Sequence, residues 1–405
     1  MNCIVGQSGG PTSVINSTLA GVIKAAFDKD FDKVFGSRHG IEGIINDKIV
    51  EFDKEKFNGN YERLMARPAA VLGSCRYKLP EDLNDQVYKE IFDKLEELEI
   101  SHFVYIGGND SMDTVMKLNA YRKKNNIEGI YIMGAPKTID NDLFGMDHSP
   151  GFGSAAKFVA SHLTTIRVDA DIYDLESVSV VEIMGRNAGW LTASALLANH
   201  DREVVNLVYL SEMKLSKEDI LEDVKKALKR DSNVVIAVSE GFMDDESYFK
   251  TSHVQSHDTG FNHPMVAGVG KNISDYIHEQ LDIKTKAIEL NVLQRTSLLI
   301  SETDALEAYN LGYKAIEYGL EGHSGVVSTL YRDEEAEDYK VIYDYVEVET
   351  IANKEKKIPL DWFDEKENAF DDKLIAYLKP LINGEIKQEM LDGLPVFIKL
   401  EDLLK

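Results

Sequence analysis

Short β-branched runs alternate along this chain with longer amphipathic stretches, and three of the short runs end in turns of glycine and small polar residues. The runs at 3–5, 103–106 and 130–135 lead into GQSGGPTSVIN (6–16), IGGNDSMDT (106–114) and PKTIDND (136–142). A repeated strand–turn–helix pattern has few solutions other than a parallel-rich sheet wrapped by helices. In open sheets of that kind ligands bind beyond the carboxyl ends of the strands, which is where these turns fall.

The pattern recurs further on. Strands are expected at 178–184, 205–210, 234–240, 286–291 and 325–331, with helices at about 13–27, 81–99, 153–169 and 302–320 and a further one from about Asp110. The prediction is α/β: two Rossmann-like lobes, each a parallel-rich sheet flanked by helices. The first lobe takes 1–151 plus about 294–345, and the second takes 152–293 plus about 346–405. At 405 residues, two domains are the natural division. The 242–264 segment, with three histidines, reads as a long polar insertion, and RDEEAED (332–338) reads as a solvated loop.

Each turn has its own chemistry. Gly9 and Gly10 let backbone amides approach a ligand, Thr12 and Ser13 offer hydroxyls, and the helix start that follows suits an anion. No lysine follows those glycines, so the G-x-x-x-x-G-K phosphate loop is absent. The second turn sets Asn109 and Asp110 beside its glycines, with Asp110 placed either to hold Mg²⁺ or to cap the helix. The third brings Lys137, Asp140 and Asp142 together: a cation, a base and a metal-competent acid within seven residues. GFGSAA (151–156) matches the dinucleotide pattern G-x-G-x-x-G/A, but MDHSP before it is no apolar strand, so no nicotinamide site is expected there.

Taken together and in order, GGPTSVIN (9–16), LGSCR (72–76), GGNDS (107–111), TIDND (138–142), MGR (184–186) and QR (294–295) resemble the phosphofructokinase family over most of the chain. The resemblance implies that Asp140 is the general base on the C1 hydroxyl of fructose 6-phosphate, with Asp142 in support. It implies that Arg76 and Arg186 neutralise the transferring phosphoryl group, and that Gly10 lines the donor site. Thr138, Met184, Gly185, Arg186, Glu240, Lys286 and Arg295 correspond to sugar-phosphate positions, and the implied cofactor is Mg²⁺ with Asp110 as ligand.

Two positions bear on the donor. ATP-dependent members carry glycine where this chain has Asp110 and Lys137. An aspartate there intrudes on a nucleotide's α-phosphate, and a lysine suits the terminal phosphate of a small inorganic donor. The pair resembles the pyrophosphate-dependent branch, with an ATP-dependent enzyme of the same fold as the alternative. Asn109, Ser177, Lys286 and Val292 depart from the family pattern. They leave open an altered sugar pocket, a larger acceptor such as sedoheptulose 7-phosphate, or a silent sugar-phosphate sensor. Ala20 and Lys24 replace arginines that serve nucleotide effectors in regulated members, so little regulation of that kind is expected.

Charge and cysteine content bound the partners. With 45 Lys plus Arg against 70 Asp plus Glu, the formal charge is −25, which disfavours nucleic acid and anionic membrane. Two cysteines, and a start without basic or strongly apolar character, point to a cytoplasmic protein without a secretory leader. The family suggests a homodimer or homotetramer. Anionic substrates remain compatible with the acidic surface if Lys137, Arg76, Arg186, Lys286 and Arg295 converge locally.

Overall fold

A computed structural model describes residues 1–243, 249, 268–364 and 369–405; most of the histidine-bearing insertion expected at 242–264 lies outside them. Two sheets organise the chain. The first has seven strands: β1 (Asn2–Gln7), β2 (Lys33–Ser37), β3 (Ile49–Glu51), β4 (Ile100–Gly107) and β5 (Tyr131–Pro136) come from the first third of the chain. The second sheet follows with β6 (Ser177–Ile183), β7 (Leu207–Tyr209), β8 (Asn233–Ser239) and β9 (Lys284–Glu289). The chain then returns to the first sheet with β10 (Val326–Arg332) and β11 (Val341–Glu347).

The first sheet runs in the order β11-β10-β5-β4-β1-β2-β3 and the second in the order β7-β8-β6-β9. The second is parallel throughout, and in the first only β3 and β11, at its two edges, are antiparallel. The central strands read as continuous apolar runs because both faces are covered. Alternate residues serve opposite cores: Ile4, Phe103, Tyr105 and Ile132 pack on one face, and Cys3, Val5, Val104, Ile106 and Met133 on the other. The expected strands are present with ends shifted by one to three residues, while β2, β3 and β11 were not anticipated.

Two long helices, Ile15–Asp28 and Glu302–Leu320, cross on one face of the first sheet with their backbones nearly touching. A Cβ at Gly21 would stand 1.9 Å from the Tyr309 carbonyl oxygen, and one at Gly312 would stand 2.0 Å from that of Thr18. The crossing therefore requires two glycines, and it anchors the helix whose N-terminus follows the first glycine-rich turn.

The expected lobe boundary near 346 is corrected by the packing. Val348, Ile351 and Ala352 belong to a core of the first lobe, and Leu374, Leu378 and Leu381 to that of the second. Ile398, Leu400 and Leu403 then return to the first lobe beside Phe52 and Phe57. The final 60 residues cross between lobes because their apolar side chains are spaced in short groups, each enough to cover one gap.

Candidate active site

The ends of β1, β4 and β5 are adjacent, so their three turns face one another. Gly9 adopts a left-handed φ of +79°, and its N–H donates to the Cys75 carbonyl over 3.2 Å. The Ser74 hydroxyl donates to the Gly9 carbonyl over 2.6 Å, so the LGSCR segment brackets the first turn. Ser8 and Ser111 join the first and second turns through their hydroxyls at 2.8 Å. The Lys137 N–H donates to Gly107 over 2.9 Å, and its ammonium to the Gly10 carbonyl over 2.6 Å. A Cβ on Gly9 would approach Lys137 Nζ to 3.2 Å, so this glycine makes room for the cation.

Helix starts show which turns are open to a ligand. The Asn109–Lys124 helix has no side-chain cap and its first residues line the cleft, which leaves first-turn amides available there; Ile15–Asp28 is also uncapped, but its first turn is buried outside the cleft lining. The GFGSAA turn is the reverse case. Its helix, Phe152–Ala170, receives the Asp304 carboxylate, which accepts from Gly151 N and Ser154 N at 2.8 Å each. The chain's own acid takes the place a dinucleotide phosphate would need.

A cleft of about 280 Å³ opens among these turns. Gly10, Thr12, Arg76, Asp110, Lys137, Thr138, Asp140, Asp142, Met184 and Arg295 line it. Thr138 steadies the catalytic segment, its hydroxyl accepting from Asp140 N over 3.1 Å. Across the cleft, Gln294 accepts from Met184 N over 3.2 Å, so the QR motif holds the MGR motif. Gly185 has a φ of +139°, and a Cβ on Gly241 would meet the Arg186 carbonyl at 1.9 Å, which explains the glycines on either side of that arginine. A larger cavity of about 760 Å³ opens between the helix Phe152–Ala170 and the 370–383 stretch, but it contains none of the expected site residues.

Burial dominates the site's electrostatics. It lowers the proton affinity of Lys137, to about 8; Asp140 opposes this and Arg295 reinforces it. Burial also raises the carboxyls of Asp140 and Asp142 well above the usual range, the charges of Glu240 and Asp140 respectively adding to the effect. Glu240 is raised by burial too, with Arg186 pulling the other way. Burial and then Arg76 lower Arg295, whose Nε is buried with no hydrogen-bond partner among the described residues. The buried Thr12 hydroxyl likewise lacks such a partner. Both residues line the cleft, so two buried polar groups without a partner among the described residues stand at its wall.

Not every expected residue joins this group. Arg186 and Glu240 act on Asp140 by charge without lining the cleft. Lys286 lies elsewhere, half-exposed on the open edge of the second sheet, where it pairs with Asp169 at 2.7 Å. Three of the five expected cations, Arg76, Lys137 and Arg295, thus line the cleft, and Arg186 acts on Asp140 by charge. Ser177 bonds to Asn233, at 2.7 Å, and Val292 is exposed. Asp110 meets Lys78 at 3.0 Å, a contact that no motif announces. Ala20 is buried in its helix and Lys24 pairs with Asp28.

Comparison with known proteins agrees with this arrangement. Residues 2–318 match the family described as Phosphofructokinase. The chain is 32% identical to a pyrophosphate–fructose 6-phosphate 1-phosphotransferase of Halomonas elongata, across 98% of this chain and 96% of that one. It is 33% identical to a protein of the same description from Xanthomonas campestris, across 99% and 96%. The structure superposes with a TM-score of 0.87 on a crystal structure of pyrophosphate-dependent phosphofructokinase from Nitrosospira multiformis, at 30% identity over 100% of this chain and 97% of that one. With a family match over residues 2–318 and relatives 32% and 33% identical across nearly the whole chain, the chain belongs to the phosphofructokinase family.

Proposed function

We propose that the protein catalyses reversible phosphoryl transfer from inorganic pyrophosphate to the C1 hydroxyl of fructose 6-phosphate, giving fructose 1,6-bisphosphate and phosphate. The observation that carries the donor assignment is the buried Lys137 ammonium, held at the Gly10 carbonyl with Asp110 in the same cleft. A lysine there meets the terminal oxygens of a small polyanion, and a charged aspartate disfavours the longer phosphate chain of a nucleotide. The close relatives named for pyrophosphate support the same reading.

Asp140 is the general base in this reading, taking the proton of the C1 hydroxyl as that oxygen attacks phosphorus. Burial and then the charge of Glu240 raise its proton affinity, which strengthens it as a base. In the reverse direction the same carboxyl returns the proton. Asp142 supports it, and Arg76, Arg186 and Lys137 counter the charge that spreads over the transferring group. Thr138, Met184, Gly185, Glu240 and Arg295 hold the sugar phosphate. Lys286 reaches it only if contributed to another subunit's site.

Mg²⁺ fits this donor set. Among the described residues no cluster of three or more His, Cys, Asp or Glu forms a closed metal cage. Mg²⁺ keeps several waters and binds through one or two carboxylates and substrate phosphates, and Asp110 offers one carboxylate in the cleft. Asp110 would hold it with the donor's oxygens, and the ion would offset their charge.

We also infer a homodimer or homotetramer. The exposed Ile172, Tyr173 and Leu175, close along the chain to the Asp169–Lys286 pair, support an interface on that face. No helix among the described residues is long and apolar enough to cross a membrane. We place the protein in the cytoplasm, with little response to nucleotide effectors.

Initial rates with pyrophosphate and with ATP, forward and with phosphate in reverse, test the function. Turnover with pyrophosphate in both directions is expected. Turnover with ATP while pyrophosphate is inert would overturn the donor assignment, and sugar-phosphate binding without turnover under either donor would make the protein a sensor.

A further inference from the structure

Four residues far along the chain, 353–356, bond to the turns after β4 and β5 and to residues 187 and 190 of the second lobe. The Asn353 N–H donates to Asn109 Oδ1 over 2.6 Å, and Asn109 Nδ2 donates back to the Lys354 carbonyl over 2.8 Å. The Asn353 side chain adds a bond to Asp113 at 3.1 Å. Next, Glu355 forms an antiparallel bridge with Leu143, and the Lys356 N–H donates to the Asp142 carbonyl over 2.7 Å. The same residues then touch the second lobe. Asn187 Nδ2 donates to the Glu355 carboxylate over 2.7 Å, and Trp190 Nε1 to the Lys356 carbonyl over 3.0 Å. The Lys356 ammonium turns back onto the Asp147 carbonyl at 2.5 Å and lies 5.1 Å from the Trp190 ring.

The bonds to Asn109, Leu143, Asp142 and Asn187 fall on, or one residue away from, groups assigned to the chemistry. Asn109 adjoins Asp110, Asp142 is held through its own carbonyl, and Asn187 adjoins Arg186. The exchange between Asn109 and the 353–354 backbone also needs an amide. An aspartate at 109 would set a second acceptor against the Lys354 carbonyl, with no N–H to offer. The departure from the family's acid at this position is therefore matched to the segment it holds.

We propose that residues 353–356 form a strap that sets the donor turn, the catalytic turn and the second-lobe arginine turn relative to one another, with Asn109 and Glu355 as positioning residues. The kinetic consequence rests on the phosphotransferase reading above. A displacement of about 1 Å in such a site costs on the order of 10²-fold in rate, so a strap affects kcat more than substrate affinity.

Glu355→Ala and Glu355→Gln separate this role from that of a charge, because both remove the charge that bears on Asp142 while only Glu355→Gln keeps the acceptor to Asn187. Glu355→Ala is expected to lower kcat roughly tenfold with both KM values within about twofold, and Glu355→Gln, which still accepts from Asn187, to stay near wild type. Asn109→Ala is expected to behave like Glu355→Ala. The double variant should lose little more than the worse single one, since both break one strap. Hydrogen exchange of substrate-free protein should quicken at 138–147 and 184–192 in Glu355→Ala and not in Glu355→Gln. An unchanged kcat with unchanged exchange, or losses that multiply in the double variant, would overturn the strap. Quickened exchange in a protein whose wild type turns over with neither donor would leave the strap standing and remove the phosphotransferase reading.

Discussion

Lys137 and Gly10 meet across two turns: the lysine ammonium, itself buried, donates to the glycine's carbonyl oxygen over 2.6 Å. The bond aims a cation into the cleft before any ligand arrives, so less ordering remains for binding. It also ties the end of β5 to the turn after β1, on the far side of β4.

Lys137→Met should therefore lower kcat/KM for pyrophosphate by roughly 10²–10³, the usual loss for a charge-stabilising donor in a dry site. Lys137→Arg should not restore it, because the space beside Gly9, 3.2 Å from Nζ to a Cβ built there, does not admit a guanidinium. Initial rates at varied pyrophosphate measure both. A fully active arginine variant would show that charge alone suffices.

The pH profile of kcat/KM should be bell-shaped. Asp140 and Asp142 have raised proton affinity, so the acid limb lies above the ordinary carboxylate range, and activity falls as pH drops through it. Lys137 is lowered to about 8, so the alkaline limb falls as pH rises past that value. A bound donor's negative charge favours the ammonium, so the alkaline limb of kcat should lie higher than that of kcat/KM. Coincident alkaline limbs would remove Lys137 from donor binding.

Gly312→Ala should destabilise the protein by roughly 3 kcal/mol or more, since its Cβ meets a backbone oxygen at 2.0 Å and helix axes must part to admit it. The urea midpoint reads this directly. A shift below about 0.5 kcal/mol would mean that the crossing is looser than the structure has it.

His148 predicts a stability change in alkaline solution. Burial opposes its charge, but Glu307 and Asp147, each 2.7 Å from a ring nitrogen, raise it to about 9. Because the folded value is raised, the contribution is complete below the ordinary value of about 6.5 and is lost as pH rises through about 9. The wild type should lose roughly 2–3 kcal/mol between those limits and His148→Gln much less. Equal slopes in denaturant titrations would show that the ring is neutral in the fold.

The central strands could be read because burial on both faces makes them continuous apolar runs. The edge strands could not. In β11, VIYDYVE alternates exposed and partly buried residues, and it follows an acidic stretch that reads as loop. β3 contributes three half-buried residues, too few to carry a period. Most of the candidate site was legible because its residues sit in local motifs at strand ends, where the residue types state the chemistry: Gly9, Lys137, Asp140 and Arg295 among them. The place of Lys286 on the open edge of the second sheet was not legible, because a match in sequence order does not say where on a sheet a residue stands.

By itself the sequence determined the alternation of strand and helix, the three phosphate-friendly turns and the set of acids and cations available to them. Those are local properties, set by backbone sterics, periodicity and ionisable groups. The tertiary structure decided which of them meet. It gave the GFGSAA helix start to Asp304, left that of Asn109–Lys124 uncapped at the cleft, kept Lys286 out of the cleft and bonded residues 353–356 to the turns after β4 and β5. In sequence NKEK is only a charged tetrapeptide. Hydrogen bonds to partners as far as 244 and 245 residues away give it a role, and no local pattern encodes such a separation.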